Sequence, residues 1–105
     1  MSNFVRICSE KQLPEEGQAR EVIFHEKQFC VARSGGEIAV MDNLCPHQEG
    51  PLGQGLVENG CVVCPWHAWA FDVKTGQAQH SERARVRIYP AKVEGGALLI
   101  ELPDF

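Results

Sequence analysis

The chain has 105 residues and a formal net charge of −4 at pH 7, which is enough length for one domain and too little for two. A mildly acidic chain is a poor candidate for binding nucleic acid or an anionic membrane. No stretch reaches the roughly 18 apolar residues of a membrane-spanning helix, and residues 1–6 lack the pattern of a signal peptide. We therefore expect a single cytoplasmic domain over residues 1–105, with neither nucleic acid nor a membrane as partner.

Short apolar runs separated by turn residues predict an all-β fold, an antiparallel β-sandwich or barrel of short strands. In the first half of the chain, the predicted strands are residues 4–7, 21–25, 28–33 and 37–41. Residues 9–17 contain Pro14 and acidic side chains, and they predict a turn or a single helical turn. Glu26-Lys27 and Ser34-Gly35-Gly36 predict the hairpin turns that join the next three strands.

The second half of the chain predicts three further hairpins and a half-buried strand. Asn59-Gly60 is a strong hairpin signal between residues 56–57 and 61–63. Further strands are predicted at residues 71–73, 77–79, 84–89, 92–94 and 97–102. In the strand at 84–89, Arg85 and Arg87 alternate with Val86 and Ile88, which is the pattern of a strand with one solvent-facing side.

Two short segments carry thiol and imidazole groups at close spacing: Cys45-Pro46-His47 and Cys64-Pro65-Trp66-His67. Thiolates and neutral imidazoles bind soft or borderline metals. Two of each could close a tetrahedral zinc site, or could hold a 2Fe–2S cluster in which two His replace two Cys on one iron. Only one residue separates Cys45 from His47, less than in a usual zinc knuckle. The spacing therefore favours the cluster, with a zinc-stapled interaction module as the alternative.

The C-x-H segment, the sixteen intervening residues and the C-x-x-H segment together resemble the Rieske iron–sulfur motif. Neighbouring residues are also similar: Gly50-Pro51-Leu52-Gly53, Phe71-Asp72 and Thr75-Gly76. The resemblance covers almost the whole chain. It implies the Rieske iron–sulfur fold, with a cluster-binding part at about residues 43–72 made of two loops at one tip. It also implies that Cys45 and Cys64 bind one iron of a single 2Fe–2S cluster, and that His47 and His67 bind the other.

The resemblance implies a soluble one-electron carrier that passes electrons from a flavin-containing reductase to a terminal, ring-hydroxylating oxygenase. Such a protein is an electron-transfer component of an oxidoreductase system rather than a catalyst by itself. The chain is too short to include the mononuclear-iron domain of an oxygenase. The alternative is the small Rieske subunit of a cytoplasmic NAD(P)H nitrite reductase, whose partner would be the large subunit.

The residues around the motif predict a low reduction potential. Two neutral imidazoles leave the oxidised cluster uncharged, which places Rieske potentials at roughly −150 to +300 mV. High-potential members of the family carry a Ser and a Tyr hydroxyl where this chain has Trp69 and Phe71, and a disulfide at the positions of Gly50 and Trp66. Hydrogen bonds to the sulfurs raise the potential. Without these hydroxyls, we expect a potential near the bottom of the range.

Apolar side chains next to the ligand positions are candidates for a cover that excludes water. Leu44 and Leu52 flank the first segment, and Trp66 and Trp69 flank His67. The family often adds a Pro-rich third loop, which would fall near residues 80–84 here. The chain has no Pro between Pro65 and Pro90, so a third covering loop is left open.

Three cysteines lie outside the motif: Cys8, Cys30 and Cys61. In a reducing cytosol we expect all three to be free and buried. Cys61 and Cys64 formally make a C-x-x-C pair, but a redox dithiol is disfavoured because Cys64 has a better use as a ligand and no helix pattern follows. His25 is expected to face solvent.

Overall fold

The computed structural model describes residues 4–43, 51–65, 69–79, 81 and 84–102. The strands within these ranges are β1 Phe4–Ser9, β2 Ala19–Phe24, β3 Lys27–Ser34, β4 Glu37–Asp42, β5 Leu56–Glu58, β6 Cys61–Val63, β7 Ala70–Asp72, β8 Ile88–Tyr89, β9 Ala91–Glu94 and β10 Ala97–Glu101. Single 3₁₀ turns cover Glu10–Gln12 and Leu52–Gln54. The strand pairings are antiparallel, which confirms the all-β fold and the helical turn after β1.

The strands form three sheets. A central sheet has the order β2-β3-β4-β8, a terminal sheet the order β1-β10-β9, and a meander sheet the order β5-β6-β7. In the part of the chain that the structure describes, no helix has the length and apolar character needed to cross a bilayer.

The central sheet is buried on both faces, and β3 shows this most clearly. Residues 29–32 are all almost fully buried. Phe29 and Val31 belong to an apolar cluster shared with the terminal sheet, which we call the terminal core. Cys30 and Ala32 belong to a second cluster shared with the meander sheet, the meander core. Because alternate residues of a strand face opposite sides, the central sheet is the middle of three layers.

The turn between β2 and β3 lies one residue earlier than the sequence predicts. His25 and Glu26 adopt positive φ angles of 49° and 68°, as the central residues of a tight hairpin turn do. Lys27 already pairs with Phe24 in the ladder. The predicted turn at Glu26-Lys27 is therefore wrong by one position, and His25 is an exposed turn residue rather than a strand end.

The Asn59-Gly60 turn is confirmed. Asn59 and Gly60 have φ angles of 50° and 75°, and the flanking strands β5 and β6 pair directly across the turn. This hairpin, followed by β7, forms the meander sheet. The last hairpin, β9 with β10, is also as predicted and turns at Gly95-Gly96.

The predicted strand over residues 84–89 is mostly wrong, because only Ile88 and Tyr89 pair with β4. The Val86 amide donates instead to the Gly76 carbonyl oxygen at 2.9 Å. A Cβ at Gly76 would overlap the Val86 carbonyl oxygen, so this approach requires glycine. The predicted strand over residues 77–79 is likewise reduced to isolated bridges, such as that between Phe71 and Ala78.

Candidate metal centre

Of the four predicted ligands, the structure describes Cys64. Cys45, His47 and His67 lie outside the described residues, as do Leu44 and Trp66 of the predicted cover. Cys64 follows β6 directly, and 1% of its surface is exposed. Its side chain belongs to the meander core. A thiol held inside an apolar cluster at a strand end suits a sulfur ligand that is shielded from water.

Hydrogen bonds of Asn43 join the described residues that precede and follow the first predicted ligand segment. Asn43 follows β4, and its carbonyl oxygen accepts a hydrogen bond of 2.7 Å from the Leu52 amide. Its side-chain Oδ1 accepts a second bond of 2.7 Å from the Gly53 amide. These two bonds close the base of residues 44–51, the segment that contains Cys45 and His47.

The second predicted ligand segment is closed in the same way. The Cys64 amide donates to the Trp69 carbonyl oxygen at 2.7 Å. This bond continues the β6–β7 ladder, in which Val63 pairs with Ala70. Main-chain hydrogen bonds therefore join Cys64 and Trp69, the described residues next to the second predicted ligand segment.

The bases of the two segments lie against each other. A Cβ at Gly55 would overlap the Val63 carbonyl oxygen, so the 3₁₀ turn after the first segment packs directly on the end of β6. Leu52 and Cys64 belong to the same meander core. The described residues that follow the first segment thus lie beside those that precede the second, as a cluster shared by the two segments would require. The donor set and the buried Cys64 fit a 2Fe–2S cluster.

The apolar cover is partly described. Leu52 is fully buried, and the half-buried Trp69 packs against the meander core. The Trp69 and Phe71 rings lie 6.4 Å apart at a tilt of 33°. Neither side chain carries a hydroxyl that could donate to a cluster. Residues 80, 82 and 83, where a third covering loop would fall, lie outside the described residues.

The cysteines outside the motif are free and buried, as predicted. Desolvation by burial, with a smaller contribution from Glu21, raises the pKa of Cys30 to about 12. Burial also raises the pKa of Cys8 and of Cys61. A raised pKa keeps these groups as thiols, which are poor nucleophiles and poor ligands.

Cys61 and Cys64 do not face each other across a C-x-x-C turn. Val62 and Cys64 belong to the meander core, whereas Cys61 lies outside it. Since alternate residues in β6 face opposite sides, Cys61 points away from the face that holds Cys64. This arrangement supports the judgement that the pair is not a redox dithiol.

Sequence reasoning missed a hydrogen-bonded network behind the first segment. Asn43 is polar and fully buried. Its Nδ2 donates to Glu21 Oε2 at 2.7 Å and to Gln28 Oε1 at 3.3 Å. Gln54 Nε2 donates to the other Glu21 oxygen at 3.0 Å. The sequence pattern places residue 43 only at the start of the cluster-binding part, because nothing in the sequence pairs it with residues on two other strands.

A second network holds the residue before Asn43. Tyr89 Oη donates to Asp42 Oδ1 at 2.6 Å, and Lys27 Nζ lies 3.2 Å from the same oxygen. Burial and the hydrogen bond to Asp42 raise the pKa of Tyr89. The pKa of Lys27 is also raised: burial opposes its charge, but the hydrogen bonds to Tyr89 and Asp42 outweigh burial. The end of β4 is therefore anchored on its terminal-core side as well.

Comparison with known proteins agrees with the motif. A family model described as Rieske [2Fe-2S] domain matches residues 3–90. The ferredoxin component of the alkene monooxygenase system of Xanthobacter autotrophicus is 32% identical over 98 residues, which cover 92% of this chain and 80% of that protein. The ferredoxin component of the naphthalene 1,2-dioxygenase system of Pseudomonas aeruginosa is 34% identical over 88 residues, covering 83% and 85%.

Solved structures share the fold. Sphingomonas yanoikuyae B1 ferredoxin superposes with a TM-score of 0.82 at 29% identity, covering 96% of this chain and 100% of that one. A putative NADH-dependent nitrite reductase small subunit from Mycobacterium tuberculosis gives a TM-score of 0.85, covering 100% and 99%, but at 20% identity this likeness concerns the fold alone. The cofactor of the matched family is a Rieske-type 2Fe–2S cluster, in place of the zinc alternative. The chain belongs to the Rieske [2Fe–2S] family.

Proposed function

We propose that this protein is a soluble, cytoplasmic one-electron carrier that passes electrons from a flavin-containing reductase to a terminal, ring-hydroxylating oxygenase. The observation that supports this proposal most strongly is the pair of relatives at 32% and 34% identity, both named as ferredoxin components of oxygenase systems and both matched over at least 80% of their own length. A carrier needs a redox centre near the surface and a docking face, and it needs no substrate pocket.

We further propose that a single domain spans residues 1–105, with a cluster-binding part at about residues 43–72. In this assignment Cys45 and Cys64 bind one iron, and His47 and His67 bind the other. The burial of Cys64 and the contact between Gly55 and Val63 support it. Gly55 follows the first Cys/His segment and Val63 precedes the second, so their contact is compatible with one cluster that joins both segments.

The chain's own residues account for the conditions of electron transfer. When bound, the cluster takes up and releases one electron. Leu52 and Trp69 pack in the same apolar cluster as Cys64, where they would shield a bound cluster from water. Trp69 and Phe71 offer no hydroxyl to stabilise the extra negative charge of the reduced state. We therefore propose a potential toward the bottom of the Rieske range of roughly −150 to +300 mV.

The first experiment is a determination of iron, sulfide and electron uptake on protein purified without air. We expect about two irons and two sulfides per chain, a rhombic EPR signal after dithionite reduction, and uptake of one electron with a negative midpoint potential. A positive midpoint would contradict the low-potential proposal and leave the cluster assignment intact. Stoichiometric zinc with neither iron nor an EPR signal would rule out electron transfer.

A matched pair of variants tests the described ligand. Cys64→Ser should lose the cluster, because serine replaces the thiolate that we assign to iron. Cys61→Ser is the control: it makes the same change three residues earlier, on a side chain that faces the other way. It should keep two irons per chain. Equal iron content in both variants would refute the assignment of Cys64.

A second candidate is the small subunit of a nitrite reductase, which the fold likeness to the Mycobacterium tuberculosis protein favours. The two functions differ in the lifetime of the complex with the partner. A carrier should bind its oxygenase transiently and dissociate as salt screens the interface. A subunit should elute with a nitrite reductase large subunit as one species in size-exclusion chromatography at any ionic strength.

A further inference from the structure

The side chain of Asn43 is fully buried, and each of its polar atoms has a partner. Nδ2 donates to Glu21 and Gln28 on neighbouring strands. Oδ1 accepts from the Gly53 amide in the 3₁₀ turn. The amide group therefore joins the end of β4, the central sheet and the segment that follows the first predicted ligand loop.

Glu21 is the second centre of this network. One of its carboxylate oxygens accepts from Asn43 at 2.7 Å, and the other accepts from Gln54 at 3.0 Å. A Cβ at Gly53 would overlap the Glu21 side chain and lie 2.8 Å from Asn43 Oδ1. The backbone of the 3₁₀ turn thus packs directly on the pair, and only glycine permits it.

A buried amide is costly when unpaired, and its energy changes steeply with displacement. A hydrogen bond to a carboxylate is also about twice as strong as one between neutral groups. An apolar residue could fill the same space, but it would set no particular distance between the three segments. The paired amide therefore fixes where the chain departs toward Cys45, which is two residues further along.

We propose that Asn43, held by Glu21, is a positioning residue for the cluster: it locks the base of the first ligand loop onto the central sheet. This inference rests on the proposed assignment of Cys45 and His47 as ligands. It goes beyond that assignment, because it makes the retention and spectroscopic properties of the cluster depend on a pair of side chains that do not bind iron.

The test is an exchange of the two hydrogen-bonding groups. Asn43→Asp puts a second carboxylate against Glu21 and removes the donor. Glu21→Gln alone leaves a side-chain amide with one oxygen, which cannot replace the two carboxylate oxygens that accept from Asn43 and Gln54. Combined, the two changes restore one amide and one carboxylate in contact, and the Gln54 donor again finds an oxygen. The net charge also returns to that of the wild type. Asn59→Asp, in the exposed β5–β6 turn, is the matched control for the amide-to-acid change.

The measurements are the rate of cluster bleaching at a fixed temperature, the EPR and visible circular dichroism spectra of the bound cluster, and the midpoint of thermal unfolding. We expect Asn43→Asp to accelerate bleaching about tenfold, which corresponds to about 1.4 kcal/mol, with altered spectra. The double variant should return the bleaching rate and the spectra to near the wild-type values. Asn59→Asp should change neither the bleaching rate nor the spectra.

Two outcomes would overturn the proposal: wild-type bleaching and spectra in Asn43→Asp, or a double variant no better than Asn43→Asp. If Asn43→Asp does not fold, Glu21→Gln with and without the second change still measures the coupling. Cys45→Ser tests the ligand assignment separately from the positioning role of Asn43. Full iron in Cys45→Ser refutes the ligand assignment, whereas iron loss there with unchanged bleaching in Asn43→Asp refutes the positioning role alone.

Discussion

Glycine 55 has an ordinary negative φ of −87°, so its importance is steric. The absence of a side chain lets the 3₁₀ turn touch the Val63 carbonyl oxygen, and this contact joins the described residues that flank the two predicted ligand segments. Gly76 permits a similar approach by Val86, but it also has a φ of 78°. At the first position the fold needs glycine for a steric reason alone, and at the second it needs glycine for two reasons.

Gly55→Ala should push the 3₁₀ turn away from the end of β6. Overpacking of this kind costs about 1–3 kcal/mol, and we expect faster cluster loss in addition, because the two segments move apart. Urea unfolding and the rate of bleaching measure the two effects. Gly96→Ala is the control, since its Cβ meets nothing within 4 Å although its φ is 77°. It should lower stability without affecting the bleaching rate. Equal bleaching in both variants would contradict the role of Gly55.

Phe71→Tyr should raise the reduction potential by tens of millivolts, because it supplies a hydroxyl at the position where high-potential members of the family carry one. A redox titration followed by EPR measures the shift. Phe29→Tyr makes the same change at a fully buried ring in the terminal core and should leave the potential unchanged. A shift of the same size in both variants would show that the effect does not depend on proximity to the cluster.

At the scale of elements, the turn between β3 and β4 is held by a side chain from outside the hairpin. The Glu16 carboxylate accepts hydrogen bonds from the Gly36 amide at 2.7 Å and the Gly35 amide at 2.8 Å. These two bonds hold the pKa of Glu16 below its ordinary value. A carboxyl whose pKa is lower in the folded state stabilises the fold above its unfolded pKa, and loses that effect as the pH falls through the folded pKa.

Glu16→Gln should therefore lower the urea midpoint at about pH 7, and its effect should shrink as the pH falls below the ordinary carboxyl pKa and through the lowered pKa of Glu16. Urea unfolding curves at a series of pH values give the difference. Glu15→Gln, an exposed neighbour, removes the same charge without the turn contact and serves as the control. A wild-type advantage over Glu16→Gln that stays constant down to pH 3 would show that ionisation of Glu16 does not stabilise the turn.

The strands were predictable where local signals carried the information. Asn59-Gly60 specified its hairpin, and the apolar run at residues 29–32 is typical of a strand covered on both faces. The period-two pattern at residues 84–89 was misleading, since alternation predicts a half-buried extended segment but does not name its partner. Val86 bonds to Gly76 and not to β4. The Cys/His spacing indicated the metal centre, but the contact of Asn43 with Glu21, 22 residues away, had no local signal.

At the scale of the molecule, the central sheet separates two cores that differ in their relation to the cluster. The meander core contains Cys64 and Leu52, next to the ligand segments. The terminal core contains Leu98 and Ile100 from the strand that pairs with β1. Binding of a metal centre contributes to folding energy where its ligands are attached. The cluster should therefore stabilise the two cores unequally.

Removal of the cluster should loosen the meander sheet first. Amide hydrogen exchange on holo and cluster-depleted protein measures this, because protection reports the free energy of local opening. We expect Val62 and Phe71 to lose protection, and Leu98 and Ile100 to keep most of theirs. Uniform loss across both cores would show that the three layers open as one unit.

The arrangement in three layers determines how the protein should be attached to an electrode. The turn at Gly95-Gly96 joins β9 and β10 in the terminal sheet, and the whole central sheet lies between that sheet and the meander core. A tether attached at this turn would hold the terminal sheet against the electrode, with the central sheet between the electrode and the meander core. The cluster-binding part would then face the solution, where a partner enzyme can reach it, but electron transfer to the electrode would be slow. Attachment on the meander side would reverse both properties.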